Sequence, residues 1–159
     1  GVLHTKERRV RLAPDLVLAD VRRLEATPAP ADDQLLLIGR RHVRDCNSWL
    51  HNSARLTKGR PRHQLFMHPD DLARRGLADG ARVRVSSRVG SVETEVAATD
   101  TMMPGVVSLP HGFGHGRGRR MTRADQVAGV SINDLTDAER LDVSGNAAFS
   151  GTPVAVEPA

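Results

Sequence analysis

Residues 82–96 alternate on a period of two. Val83 and Val85 alternate with Arg82, Arg84 and Ser86; Val89-Gly90 turns the chain; Val92, Thr94 and Val96 then share one face, with Glu93 and Glu95 on the other. Only an extended strand places every second side chain on one side, so this stretch predicts a half-buried β-hairpin. Shorter strands are expected at residues 34–38, ended by Gly39, at 64–67, at 106–109 after the Pro104-Gly105 turn, and at 153–156. One small helix is expected at 69–75. Pro69 opens it, Asp70 and Asp71 occupy its first turn, Arg74 and Arg75 its last, and Gly76 follows. Each residue type suits its end of the helix dipole or its cap. No series of strands alternating with long helices supports parallel βαβ units, and no repeat of 20–50 residues occurs. The expected class is therefore mainly β with short helices, closed into a barrel.

Residues 1–33 differ from the rest. Residues 8–12 alternate weakly, as in a short exposed strand. Pro14 opens a helical stretch in which Leu16, Val17, Val21 and Leu24 make one apolar stripe. A linker with Pro28 and Pro30 follows. This segment reads as a lead-in that packs on another surface, with the barrel beginning at residue 34 and continuing to 159.

Composition limits the function classes. Apolar residues make up 39% of the 159, with 14 glycines besides, enough for a packed core and too much for a disordered chain. No apolar run approaches the ~20 residues of a membrane span. Cys46 is the single cysteine, which excludes an internal disulfide and a cysteine-based zinc or iron–sulfur site. All but two of the 23 basic residues are arginine. A codon bias toward Arg, Ala, Gly and Val is the simpler source of most of this excess. There is no signal-peptide pattern at the N-terminus, and the expected compartment is the cytoplasm. The chain begins Gly1-Val2-Leu3 without an initiator methionine, either processed or cut from a longer protein.

Two long stretches poor in apolar periodicity, 40–63 and 110–150, are where chemistry is expected. The first leaves a strand at Gly39. Arg40 and Arg41 suit a pyrophosphate, Asn47, Ser48, His51 and Asn52 suit a heterocycle edge, and Trp49 offers a flat apolar wall or a plug into the barrel. The second contains His111-Gly112-Phe113-Gly114-His115-Gly116-Arg117-Gly118-Arg119-Arg120. Its alternate glycines free backbone N–H groups to face an anion. No helix follows to complete a dinucleotide fingerprint. Two histidines without cysteines or paired acids do not complete a metal site, and so few aromatics argue against nucleic acid as partner. Cys46 lies near His42 and His51, yet nothing marks it as an activated nucleophile.

Four stretches together resemble a known family. They are residues 37–41 running into Asn47-Ser48-Trp49-Leu50-His51-Asn52; His68-Pro69-Asp70-Asp71 with Gly76-Leu77-Ala78-Asp79-Gly80 and residues 83–87; residues 104–107 into His111-Gly112-Phe113-Gly114-His115; and residues 129–136, then Asp142-Val143-Ser144-Gly145-Asn146. In order and spacing, residues 34–157 resemble the C-terminal molybdopterin dinucleotide-binding domain of molybdenum or tungsten oxidoreductases of the dimethyl sulfoxide reductase type, most similar in flavour to formate dehydrogenase.

The resemblance implies a double-psi β-barrel that closes over a bis-molybdopterin guanine dinucleotide carrying Mo or W. It implies cofactor contacts at Gly39, Arg40, Asn47, Ser48, Trp49, His51, His111, Gly112, His115 and Asn133; of these His51 and His115, like Arg41 and Asn146 beside them, are less clearly contact than scaffold. The metal ligand and any iron–sulfur cluster are expected in preceding domains of the parent chain, which are the expected partners, beside an electron-transfer subunit. The fragment alone is expected not to catalyse. The rival reading is a stand-alone double-psi barrel that recognises a protein partner.

Overall fold

A computed structural model describes residues 2–29, 31, 33–116, 123–139, 141, 143, 145–147 and 149–159. Arg117, Gly118, Arg119 and Arg120 of the second loop and Asp142 and Ser144 of the late motif lie outside the described residues.

Six strands close into a barrel: β1 (Leu35–Arg40), β2 (Leu65–Met67), β3 (Arg82–Ser86), β4 (Ser91–Ala98), β5 (Val106–Pro110) and β6 (Thr152–Pro158). Around the barrel the order is β1-β5-β2-β4-β3-β6. β1 runs parallel to β5 and β2 parallel to β4, and the other four pairings are antiparallel. This crossed connectivity is the double-psi barrel. The expected hairpin is present, with Val83 opposite Thr94 and Val85 opposite Val92, and Val92, Thr94 and Val96 all face inward. Leu35, Leu37, Leu65, Met67, Val83, Val85, Val96, Val107 and Leu109 fill the interior. Each such side chain removed from water contributes roughly 1.5–3 kcal/mol.

Helices α1 (Asp15–Glu25) and α2 (Ala54–Thr57) precede the short helix α3, which spans Pro69–Arg74. His68 caps its start by accepting from the Asp70 N–H, and Gly76 leaves it at φ +63°, a left-handed conformation that favours glycine. Asp71 is buried beneath it. The carboxylate pairs with Arg74 and Arg75 and accepts the Gly105 N–H at 2.7 Å, tying the helix to the turn that starts β5. Helix α1 forms as expected, but none of its residues is buried. Leu16, Val17, Leu18, Val21 and Leu24 are all exposed.

Two expectations are corrected. Residues 8–12 form no strand. Thr5 instead closes a turn, its hydroxyl bridging the Arg9 N–H and C=O, with Arg8 at φ +49°. β1 does not end at Gly39 but continues through Arg40, because both residues pair with β5.

Candidate functional site

Parallel pairing places the site. Gly39 lies beside Leu109 and Arg40 beside Pro110, so β1 and β5 end side by side. The His111 N–H donates to the Arg40 carbonyl at 3.0 Å, carrying the ladder one step into the loop. The two stretches singled out from the sequence therefore leave the barrel at one rim, although they are far apart along the chain.

Close backbone approach then fuses them. An ideal Cβ at Gly39 would stand 2.1 Å from His111 Nε2. One at Gly112, where φ is +87°, would stand 2.1 Å from the Asn47 carbonyl oxygen and 2.8 Å from the Ser48 nitrogen. One at Gly114, φ +86°, would stand 2.5 Å from the Ser131 nitrogen. Here glycine is required because another segment occupies the space of a side chain. Loop 41–52, loop 111–116 and the turn at Ser131 are thus one packed unit.

Within it, Cys46 and Asn47 both adopt left-handed backbone, φ +43° and +60°. Asparagine tolerates this conformation and cysteine does so less readily; such local strain concentrates at functional sites. Arg41 donates to the Asn47 side-chain oxygen. Trp49 opens a 3-10 turn, Trp49–Asn52, and is 82% exposed. The indole is therefore a free wall on the rim and not a plug in the barrel. Asn52 accepts the Ala124 N–H and so pins a neighbouring segment. His111 also meets the Phe149 ring edge-on, with centroids 6.2 Å apart. Asn133 is exposed on the 3-10 turn Ile132–Asp134, next to the Ser131 contact.

Arg40 is placed differently from the expected pyrophosphate grip. Its guanidinium donates to the carbonyls of Ser108, Arg62 and Gln64, at 2.5, 2.9 and 2.5 Å, and lies 3.7 Å over the Phe66 ring. Burial pushes its pKa down to about 10, still charged at neutral pH, with Asp45 opposing the shift. Three of its five donors thus close the barrel seam between β1, β5 and β2.

Asp45 and Arg62 are site residues that the sequence reading missed. Asp45 is buried and accepts from Arg62 Nε and from its terminal nitrogen, the latter at 2.6 Å. Burial alone would raise the Asp45 carboxyl, but the Arg62 hydrogen bonds and charge hold it below the usual carboxylate range. His51 is also buried. Its Nδ1 lies 2.7 Å from His115 Nε2, and its Nε2 lies 3.4 Å from Asp45 Oδ1, too far off line for a hydrogen bond. Burial lowers the His51 pKa, against the pull of Asp45. The one signal in the sequence was an acid standing alone in an arginine-rich loop.

A cleft of about 430 Å³ lies elsewhere, bordered by Gln34, Ser86, Arg88, Leu135, Asp137 and Thr152. None of the expected site residues lines it. Among the described residues no group of three or more His, Cys, Asp or Glu is placed to hold a metal ion, and no helix is long and apolar enough to cross a membrane.

The closed barrel thus carries, at one rim, convergent glycine loops with exposed indole and amide groups. Residues 35–153 match the profile described as the Molydopterin dinucleotide binding domain. The chain belongs to that family. It is 33% identical over 122 residues to a tetrathionate reductase chain of Salmonella typhimurium, covering 65% of this chain and 12% of that protein. It is 33% identical over 123 residues to the catalytic chain of a putative dimethyl sulfoxide reductase of Halobacterium salinarum, covering 76% and 14%. A 47-residue segment is 50% identical to dimethyl sulfoxide/trimethylamine N-oxide reductase of Rhodobacter capsulatus, covering 30% and 6%. Acetylene hydratase from Pelobacter acetylenicus shares the fold, with a TM-score of 0.65, 18% identity, and coverage of 89% of this chain and 20% of that one. The chain thus spans a small fraction of the length of these relatives.

Proposed function

We propose that this chain is the C-terminal, cofactor-closing part of a larger molybdenum oxidoreductase, and that its β1–β5 rim holds a bis-molybdopterin guanine dinucleotide. One observation carries this reading. The 41–52 and 111–116 loops meet at the Gly112–Asn47 contact, beside a tryptophan that is 82% exposed. A pterin and a guanine are flat heterocycles with donor and acceptor edges. The rim supplies the matching parts: the Asn47 amide and Ser48 hydroxyl for the edges, the Trp49 face for stacking, and the His111 and His115 nitrogens. Arg41, on the exposed side, supplies positive charge near a pyrophosphate. Arg40 and Gly39 act from behind, as scaffold. Asn133 joins the rim through the Ser131 contact.

When bound, the group supplies a two-electron redox centre. The residues of this chain orient it and shield one side of it from water. The metal ligand, the access funnel and any iron–sulfur cluster belong to preceding domains in this reading, and electrons pass to or from a separate electron-transfer subunit. The exposed apolar stripe of α1 supports the idea that residues 1–33 run in from such a domain. The relatives above are named for tetrathionate, dimethyl sulfoxide and trimethylamine N-oxide, so the formate expectation draws no support from them. A partner-recognition module has no need of a free indole and amide set at the rim, and the family membership does not favour it.

The test is the content of the purified parent enzyme. Two equivalents of guanosine monophosphate released by acid hydrolysis per molybdenum are expected. A nucleotide-free enzyme would overturn the reading.

A further inference from the structure

Arg62, Asp45, His51 and His115 form a line from the buried side of the rim to its loop. Asp45 is anchored as an anion by two nitrogens of Arg62, and His42 Nδ1 stands 3.9 Å from its other oxygen. His51 Nε2 faces this carboxylate at 3.4 Å. The Phe113 ring, with its centroid 4.6 Å from that of His51, closes the apolar side.

A neutral imidazole carries one proton, on one nitrogen or the other. With the proton on Nδ1, a bare lone pair on Nε2 would face the ionised Asp45 oxygen in a buried place. With the proton on Nε2, its partial positive charge lies 3.4 Å from the carboxylate, an attraction without a hydrogen bond, and Nδ1 is left as an acceptor. His115 Nε2, 2.7 Å away, must then be the donor. The remaining nitrogen of His115, Nδ1, meets no hydrogen-bond partner among the described residues.

We propose that the Arg62–Asp45–His51 line is a positioning device that fixes the tautomer of His115, so that this ring offers the site a lone pair at Nδ1. His115 then takes an N–H or O–H donor as its ligand, such as a heterocycle edge or a hydroxyl, and turns away a phosphate oxygen. The tautomer assignment stands on the geometry alone; that the donor belongs to the pterin dinucleotide rests on the function proposed above.

The experiment is long-range proton–nitrogen NMR of the 159-residue chain, ¹⁵N-labelled on histidine, at pH 8, with no cofactor present. His51→Gln and His115→Gln assign the two rings. Both are expected as the Nε2–H form in the wild-type spectrum. Asp45→Asn removes the charge and should lower the Nε2–H to Nδ1–H ratio of His115 several-fold. A wild-type His51 protonated on Nδ1, or a His115 ratio that ignores Asp45→Asn in a folded variant, would overturn the proposal. The wild-type spectrum decides the tautomer even if the Asp45 variant fails to fold. Because no cofactor enters the sample, failure of the cofactor reading leaves the result unchanged.

Discussion

The α-carbon of Gly39 is packed against the His111 imidazole, so closely that a methyl group there would stand 2.1 Å from Nε2 and 2.7 Å from Cδ2. That contact joins the end of β1 to the loop after β5. Gly112 makes the equivalent contact with main chain, at the Asn47 carbonyl. A ring can swing aside more readily than a peptide can. Gly39→Ala is expected to cost about 1–3 kcal/mol, as overpacking does. Gly112→Ala should cost more, since its φ of +87° adds ~1–2 kcal/mol of strain. Gly151→Ala, at φ +74° with nothing within 4 Å, should cost the strain alone. Urea unfolding of the three variants checks the order; equal costs would contradict it.

Stability should fall as pH drops from 7.5 to 5. Burial lowers the pKa of His51, His63 and His111 below the ordinary histidine value. Such groups bind fewer protons folded than unfolded. Their contribution is complete above the unfolded value of about 6.5 and is lost as pH falls from there toward the folded values. Asp45 acts the same way in a lower window. Its contribution is present above about 3.9 and lost as pH falls through its depressed folded value. A melting temperature that rose on acidification to pH 5 would contradict these assignments.

Trp49 is the only tryptophan and is 82% exposed. Trp49→Ala should change unfolding free energy by no more than ~0.5 kcal/mol, as is usual at a surface position. Wild-type emission should resemble that of free indole in water. A blue-shifted emission, or a loss above ~1 kcal/mol, would mean that the ring packs after all.

Removing residues 1–29 should leave the barrel intact, with a change under ~0.5 kcal/mol. No residue of α1 is buried, and its apolar stripe meets water. A large drop in melting temperature for residues 30–159 would instead assign the helix to the barrel.

The sequence made the local elements legible because their signals are local. The hairpin follows from Val83, Val85, Val92 and Val96, and α3 from Pro69, Asp70 and Gly76. Both chemical loops were visible through their glycines, Trp49 and histidines. What no local pattern carries is the parallel register of Gly39 beside Leu109, which decides that the loops share a rim. The place of Arg40 in the barrel seam was illegible for the same reason. Its carbonyl acceptors come from Ser108, Arg62 and Gln64, distant segments that only the closed barrel gathers around the guanidinium. Asp45 and Arg62 were passed over because an ion pair has no sequence period. Residues 8–12 alternate as a strand would, but find no neighbour to pair with.

The most direct measurement is molybdenum and guanosine monophosphate content of the parent enzyme carrying Asn47→Ala and Trp49→Ala together. Both side chains are exposed at the rim; Asn47→Ala also strains a residue at φ +60° and loses the Arg41 hydrogen bond, a cost of about 1–2 kcal/mol that the yield of soluble protein monitors. The expected result is a fall of tenfold or more in both contents at wild-type yield of soluble protein. Full molybdenum and nucleotide content in that variant would contradict the placement of the cofactor at this rim.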